Sequence, residues 1–213
     1  MDLIFDVDGV LIDGWHANSA LREPWDATLE ADLGINREAF QKLFFGTPGG
    51  RSASPMFECL TGRRDLGDAL ADVLPKVGYQ RNRDDFMRYW FEKGSNVNAD
   101  VFSLVEDIRK GGGAKMYVAT GQEHHRARYL CNELGFSHFD GRFYSAEIGH
   151  PKKDVEFFEA INRSLGIDAW QRPLFFDDQP EIVEVAKSAG WDGTAFTSIK
   201  DVREHPRLRH LWP

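Results

Sequence analysis

Cysteine is scarce in this chain of 213 residues, which contains only Cys59 and Cys131. The two lie far apart and form no CxxC pair, so the sequence predicts neither a zinc ribbon nor a redox motif. Two free thiols in a reducing compartment are the simplest interpretation. A basic leader and a long uninterrupted apolar run are also lacking, so we expect no signal peptide and no membrane helix. The expected location is cytoplasmic, with no membrane partner.

Positive charge is also in short supply. The chain has 26 Lys and Arg against 34 Asp and Glu, which gives a formal net charge of −8. An acidic chain is poorly suited to neutralising a phosphate backbone, so nucleic acid is not an expected partner. The apolar fraction of 42% is ordinary for a globular protein with a real core. Coiled-coil heptads are missing, and a monomer is the default expectation.

The sequence does contain a repeated alternation of short apolar runs and amphipathic stretches. The apolar runs predict five strands, at residues 3–5, 116–119, 143–144, 174–176 and 194–196. Helical spacing predicts helices between the later strands, at residues 100–110, 123–134, 154–165 and 180–189. Strands that alternate with helices are typical of an α/β fold, with a Rossmann-like parallel sheet and helices on both faces.

Residues 15–94 depart from this alternation, because their apolar residues recur at helical spacing and strand-like runs are missing. We interpret them as an α-helical cap domain inserted into an α/β core domain. The core domain then comprises residues 1–14 and 95–213. In such sheets, ligands bind beyond the carboxyl ends of the strands, so the residues at those ends are the candidates for chemistry.

Acids and a hydroxyl occupy the carboxyl ends of the predicted strands. Asp6 and Asp8 follow the first strand, Thr120 follows the second, and Asp177 and Asp178 follow the fourth. Four carboxylates in one crevice repel one another unless a cation is present. Mg²⁺ suits such a set, because it binds a few carboxylates and keeps several waters. The sequence therefore predicts Mg²⁺ as the cofactor.

The spacing of Asp6 and Asp8 suits two tasks at one reacting centre. Residues i and i+2 of an extended strand point to the same side. One carboxylate can attack phosphorus to give an aspartyl-phosphate, and the other can protonate the leaving oxygen and then activate water. Lys152 and Lys153 follow the third strand and offer the positive charge that phosphoryl transfer needs.

Four segments together resemble the haloacid dehalogenase-like (HAD) superfamily. They are LIFDVDGVLID, MYVATG, GHPKKDVEFF and FFDDQPEIVEVAKSAGW, and they occur in the order of the four motifs of that family. One such motif alone is weak evidence, whereas the ordered set is strong. The helical insertion between the first two motifs is similar to a C1-type cap. The FFDD form and the cap length look most similar to sugar-phosphate phosphatases, which include glucose-1-phosphate phosphatases.

The resemblance implies a role for each residue that matches a motif. Asp6 is implied as the nucleophile and a metal ligand. Asp8 is implied as the general acid and base, with its backbone carbonyl on the metal. Thr120 and the amide of Gly121 are implied to hold the phosphate oxygens, and Lys152 to neutralise nucleophile and phosphate.

In the fourth motif and in the third, two neighbouring residues are candidates for the same role. Asp178 is implied as the metal ligand of the fourth motif, with Asp177 close by or binding through water. The third motif commonly reads lysine-proline-aspartate, but here a second lysine, Lys153, replaces the proline. We prefer Lys152 for the site, because its distance from Gly149 fits the motif.

These residues predict a Mg²⁺-dependent phosphatase that hydrolyses a small phosphorylated metabolite, with a sugar phosphate favoured, through an aspartyl-phosphate. A phosphomutase similar to β-phosphoglucomutase is the alternative, because it uses nearly the same site. A 2-haloacid dehalogenase is a weaker alternative, because that reaction needs no metal and its enzymes lack the acid at the place of Asp8. A non-enzymatic binding module is disfavoured, since all the presumed catalytic residues are present.

Overall fold

The computed structural model describes residues 1–14, 23–47, 49–168 and 170–211. Five strands of this part of the chain form one parallel sheet in the order β3-β2-β1-β4-β5. They are β1 (Asp2–Phe5), β2 (Lys115–Thr120), β3 (Gly141–Tyr144), β4 (Leu174–Asp177) and β5 (Asp192–Ala195). The predicted α/β class is confirmed, and each predicted strand is present, although β3 and β5 begin earlier than predicted and Phe196 lies just beyond the end of β5.

Helices account for much of the remaining described chain. They are α1 (Leu29–Leu33), α2 (Arg37–Phe44), α3 (Pro55–Leu60), α4 (Leu66–Val73), α5 (Arg83–Lys93), α6 (Ala99–Gly111), α7 (His124–Glu133), α8 (Ser145–Ile148), α9 (Val155–Leu165), α10 (Pro180–Ser188) and α11 (Ile199–Arg203). Short 3-10 helices occur at Arg51–Ala53, Leu74–Val77, Phe136–His138 and Arg209–Leu211. Across the described ranges, none of the helices has both the length and the apolar character needed to cross a membrane.

The sheet is covered on both faces because side chains alternate along each strand. Leu3 and Phe5 of β1 belong to a buried cluster that includes Val101 and Leu104 of α6. Ile4 points the other way, into a second cluster with aromatic residues of α9, β4 and the turn after α10. That cluster contains Phe157, Phe158, Phe175 and Trp191. The apolar runs of β1, β2 and β4 are those expected of strands buried on both faces of a parallel sheet.

Helices α1 to α5, referred to below as the helical segment (residues 29–93), have an apolar cluster of their own. Phe40, Phe44, Leu70 and Phe86 are fully buried in it. The segment lies within the predicted cap of residues 15–94, and the division into cap and core stays a prediction. Residues 15–22, where the predicted cap begins, lie outside the described residues.

The two connections between the sheet and the helical segment are hydrogen-bonded to each other. The amide of Asp13 donates to the carbonyl of Asn96 at 2.7 Å, and the amide of Asn98 donates to the carbonyl of Leu11 at 2.9 Å. Ile12 and Val97 form an antiparallel bridge between these bonds. The return connection, residues 94–98, is therefore fixed beside the loop that follows β1.

Candidate active site

The loop after β1 places Asp6 at the middle of the sheet edge. The amide of Asp6 donates to the carbonyl of Phe176 on β4 at 2.9 Å. The chain then turns sharply at Gly9, whose φ of +88° is in the left-handed region that favours glycine. A Cβ atom at Gly9 would lie 2.2 Å from an Asp178 carboxylate oxygen. Glycine at this position therefore lets the first and fourth motifs approach each other.

Lys152 lies between two buried carboxylates. Its Nζ is 2.6 Å from Oδ1 of Asp6 and 2.6 Å from Oδ2 of Asp177. Lys152, Asp6 and Asp177 are only 7%, 3% and 0% exposed. The backbone amide of Lys152 donates to the hydroxyl of Ser145 at 3.1 Å, which fixes the turn that carries the lysine. Buried charges of this kind are stable only when they are paired.

One ammonium group does not balance the two carboxylates. Burial raises the pKa of Asp6 to about 8, because the charge of Lys152 offsets the loss of hydration only in part and the charge of Asp177 adds to it. Burial alone would lower the pKa of Lys152, but Asp6 and Asp177 together raise it above its usual value. The site is therefore short of positive charge.

A divalent cation fits this shortage and the donor set. Asp6, Asp177 and Asp178 each offer an oxygen, and the three oxygens lie within 4.8 Å of one another. Carboxylate oxygens are the ligands that Mg²⁺ prefers. The structure thus brings together three of the four acids predicted as metal ligands. The carboxylate of the fourth, Asp8, is directed elsewhere.

Asp8 is half exposed, and it contacts two side chains from the loop and helix after β2. Its Oδ2 accepts a hydrogen bond from Nε2 of Gln122 at 2.5 Å, and its Oδ1 lies 3.8 Å from Nη2 of Arg126. Gln122 also lies 3.4 Å from the hydroxyl of Thr120. Sequence reasoning missed Gln122 and Arg126. The only signal for Gln122 was its position two residues after Thr120, and nothing in the sequence distinguishes Arg126 from Arg128.

Thr120 and Gly121 lie where the second motif predicts. Thr120 is buried at the end of β2, and Gly121 is exposed beside Lys152, whose Cβ would be 3.9 Å from a Cβ at Gly121. The two lysines of the third motif point in different directions. Lys153 is exposed, and its Nζ lies 5.7 Å from the ring centre of Phe57 on α3. Lys152 is thus the lysine that contacts Asp6.

The helical segment contacts residues of α7 and α8 at the same edge of the sheet. Nε2 of His125 lies 2.7 Å from Oδ2 of Asp65, which also caps α4. A Cβ at Gly62 would lie 2.3 Å from the carbonyl oxygen of Ala146, so the two backbones are in close contact there. These contacts lie beside the loops that carry Gln122 and Lys152. The helical segment therefore borders the site.

The family model of the haloacid dehalogenase-like hydrolases matches residues 3–190. A sesquiterpene phosphatase from Aspergillus oryzae is 32% identical over 103 residues, which are 47% of this chain and 50% of that protein. The match thus spans half the length of that curated relative.

Two solved structures share the fold at low identity. A HAD family enzyme of Bacteroides thetaiotaomicron, in complex with magnesium and inorganic phosphate, has a TM-score of 0.65 and 16% identity, covering 91% of this chain and 92% of that one. An L-2-haloacid dehalogenase of Xanthobacter autotrophicus, with chloropropionic acid covalently bound, has a TM-score of 0.56 and 15% identity. It covers 100% of this chain and 84% of that one. At such identities the likeness shows the fold alone.

Proposed function

Since this chain belongs to the haloacid dehalogenase-like hydrolases, we propose that it is a Mg²⁺-dependent phosphatase that acts on a small phosphorylated metabolite. One observation carries the proposal. Lys152 is buried between Asp6 and Asp177, with Asp178 at the same sheet edge. Such a set offers an oxygen nucleophile together with positive charge, which is what phosphoryl transfer requires.

In the proposed reaction, a carboxylate oxygen of Asp6 attacks phosphorus. The P–O bond to the leaving alcohol breaks, and an aspartyl-phosphate forms. The ammonium of Lys152, the hydroxyl of Thr120 and the amide of Gly121 hold the transferred oxygens. Asp6, Asp177 and Asp178 would hold Mg²⁺, with the Asp8 carbonyl implied by resemblance. When bound, the ion supplies positive charge that favours the ionised Asp6 and the phosphate.

Asp8 is the proposed general acid and base. Its carboxyl group protonates the leaving alcohol, and its carboxylate then takes a proton from the water that attacks the aspartyl-phosphate. The hydrogen bond from Gln122 orients it for both steps. An acid at this place also supports phosphoryl transfer over dehalogenation, because halide is a leaving group that needs no proton.

We propose that residues 15–94 act as the cap of this site. The proposal is supported by the contacts of Asp65 with His125 and of Gly62 with Ala146, which lie near the loops that carry Gln122 and Lys152. A cap restricts access and excludes bulk water, so small metabolites are favoured over phosphoproteins. A monomer in the cytoplasm remains our working prediction.

Two substrate classes are proposed, each on its own observation. The motif resemblance favours sugar phosphates. The name of the Aspergillus oryzae relative favours an isoprenoid phosphate, and the aromatic composition of the helical segment is compatible with an apolar leaving group. Trp90 of α5 stacks on Trp25, which precedes α1, with the ring centres 4.9 Å apart, and both side chains are only partly buried.

The first test is hydrolysis of 4-nitrophenyl phosphate with Mg²⁺ and with EDTA, by the wild type and by Asp6→Asn. We expect turnover that requires both the metal and Asp6, followed by a screen of sugar phosphates and isoprenyl phosphates. Substantial activity in folded Asp6→Asn would overturn the assignment of the nucleophile. If the wild type is folded but inactive, the proposal loses to the alternatives, which are tested by isomerisation of sugar phosphates and by chloride release from 2-haloacids without metal.

A further inference from the structure

Arg126 is a buried arginine on α7, and its side chain reaches across to the end of α5. Its Nη1 donates to the carbonyl of Phe91 at 2.9 Å and to the hydroxyl of Ser95 at 2.7 Å. Its Nη2 donates to the carbonyl of Gly94 at 2.6 Å. The guanidinium thus binds carbonyls at the carboxyl end of α5, where a helix favours positive charge.

The same guanidinium also faces Asp8. Its Nη2, which binds Gly94, lies 3.8 Å from Oδ1 of Asp8. The ring centres of Phe91 and Tyr129 lie 5.5 Å and 5.7 Å from the guanidinium carbon, so the group lies beside two aromatic side chains that also contact each other. One cation therefore contacts both the return connection and the proposed acid.

The start of α7 is itself fixed. The carboxylate of Glu123 accepts hydrogen bonds from the backbone amides of His125 and Arg126, one at each oxygen. The preceding residue, Gln122, donates to the other oxygen of Asp8. One short stretch of chain thus contacts both oxygens of the Asp8 carboxylate. The side-chain amide of Gln122 contacts one oxygen, and the guanidinium of Arg126 contacts the other.

We propose that Arg126 is a positioning residue that ties the orientation of Asp8 to the position of the return connection, residues 94–98. The inference rests on the proposed function, because it takes Asp8 as the general acid. When the connection is in the observed position, its Gly94 carbonyl and Ser95 hydroxyl help to hold the guanidinium where it faces Asp8. When the connection moves, the guanidinium loses these two acceptors and Asp8 loses its neighbour.

Arginine suits this task better than lysine. Its planar fork presents several donors in fixed directions, whereas an ammonium is a compact point charge. Arg126 uses two nitrogens on three acceptors and still faces a carboxylate. Lysine at this position should therefore restore the charge but not the geometry.

The test compares two substrates of similar shape that differ in their need for an acid. Phenyl phosphate has a poor leaving group and 4-nitrophenyl phosphate a good one. In Arg126→Gln we expect kcat/KM to fall by ~10- to 100-fold for phenyl phosphate, which is part of the usual contribution of a general acid. For 4-nitrophenyl phosphate we expect a fall of no more than ~3-fold, because that leaving group departs without a proton. Arg126→Lys should lie between Arg126→Gln and the wild type.

Arg128→Gln is the matched control, since Arg128 is exposed on the same helix, and it should change neither rate. Equal losses for both substrates in Arg126→Gln would overturn the inference, because a merely structural role lowers both alike. Hydrogen exchange at the amides of residues 94–98 provides a second readout that needs no turnover. We expect exchange at least ~10-fold faster in Arg126→Gln than in Arg128→Gln, and unchanged exchange would overturn the inference even if the wild type proves inactive on both substrates.

Discussion

The sheet edge and the helical segment both contain fully buried side chains, but of opposite chemistry. At the sheet edge, Asp6, Asp177 and Lys152 are buried charges that depend on one another. In the helical segment, Phe40 and Phe86 are buried aromatic rings 5.2 Å apart. Apolar burial stabilises a fold directly, whereas a buried ion pair recovers little more than its own cost of desolvation. The helical segment therefore contributes stability through apolar burial, whereas the charges at the sheet edge contribute little stability and serve the proposed reaction.

The largest effect is expected from removing the positive charge of Lys152 at the sheet edge. Lys152→Met leaves Asp6 and Asp177 buried without their partner, so unfolding should become easier by about 3–5 kcal/mol in EDTA. Hydrolysis of 4-nitrophenyl phosphate should fall by at least about 10³-fold. Urea unfolding and the phosphatase assay check the two effects. Lys153→Met is the control and should stay within about 0.5 kcal/mol of the wild type; equal behaviour of the two variants would remove the distinction between the lysines.

The helical segment is tested by Phe86→Ala. The ring centre of Phe86 also lies 6.2 Å from that of Trp25 and 5.8 Å from that of Tyr79, so its loss leaves a cavity among aromatic rings. We expect the variant to lose about 3–4 kcal/mol of unfolding free energy, with no dependence on Mg²⁺. Leu43→Ala, at a position 42% exposed on α2, should cost far less. A Mg²⁺-dependent loss in Phe86→Ala would contradict the separation of the two regions.

The third prediction concerns pH in the absence of metal. The pKa of Asp6 is 3.8 unfolded and about 8 folded, so between these values the folded state holds a proton that the unfolded state has released. Stability from this group is therefore lost as the pH rises from about 4 to about 8, by a few kcal/mol in order of magnitude. The unfolding free energy of Asp6→Asn, measured in EDTA from pH 5 to pH 8, should not show this decrease with pH. Parallel pH curves for the two proteins would show that the carboxyl group is already ionised.

The smallest effect is expected where the two regions touch. Asp65 and His125 are both partly exposed, and the hydrogen bonds from His125 and from backbone amides lower the pKa of Asp65 despite its partial burial. His125→Gln should change the unfolding free energy by no more than about 1 kcal/mol, because solvent screens such pairs. A loss above about 2 kcal/mol would mean that this contact, rather than the apolar cluster, holds the helical segment in place.

The sequence made the carboxyl ends of the strands easy to predict, because buried runs such as Leu3–Phe5 stop abruptly at acids. The early part of β5 escaped prediction, since Asp192 and Gly193 show no apolar alternation. Helix α8 escaped as well, because four residues are too few for a helical period.

The contacts of Gln122 and Arg126 were not predictable for a different reason. Gln122 lies in the loop before an amphipathic helix and Arg126 lies in the first turn of that helix, and at both places solvent exposure is the ordinary outcome for a polar residue. Only the tertiary fold brings the α5 carbonyls and Asp8 to within reach of Arg126. Periodicity reports which face of a helix is apolar, but it carries no information on which polar side chain will be buried.

The strand order also governs when the site can exist during synthesis. Strand β1 is made first, yet it pairs on one side with β4, so that Leu3 lies opposite Leu174. A growing chain must therefore hold β1 with one edge open until β4 has left the ribosome, and open apolar edges invite wrong pairings. The carboxylates converge only when that final central pairing is made. A chain truncated before β4 would lack Asp177 and Asp178, so the proposed metal site and the proposed activity both require that translation has passed the fourth motif.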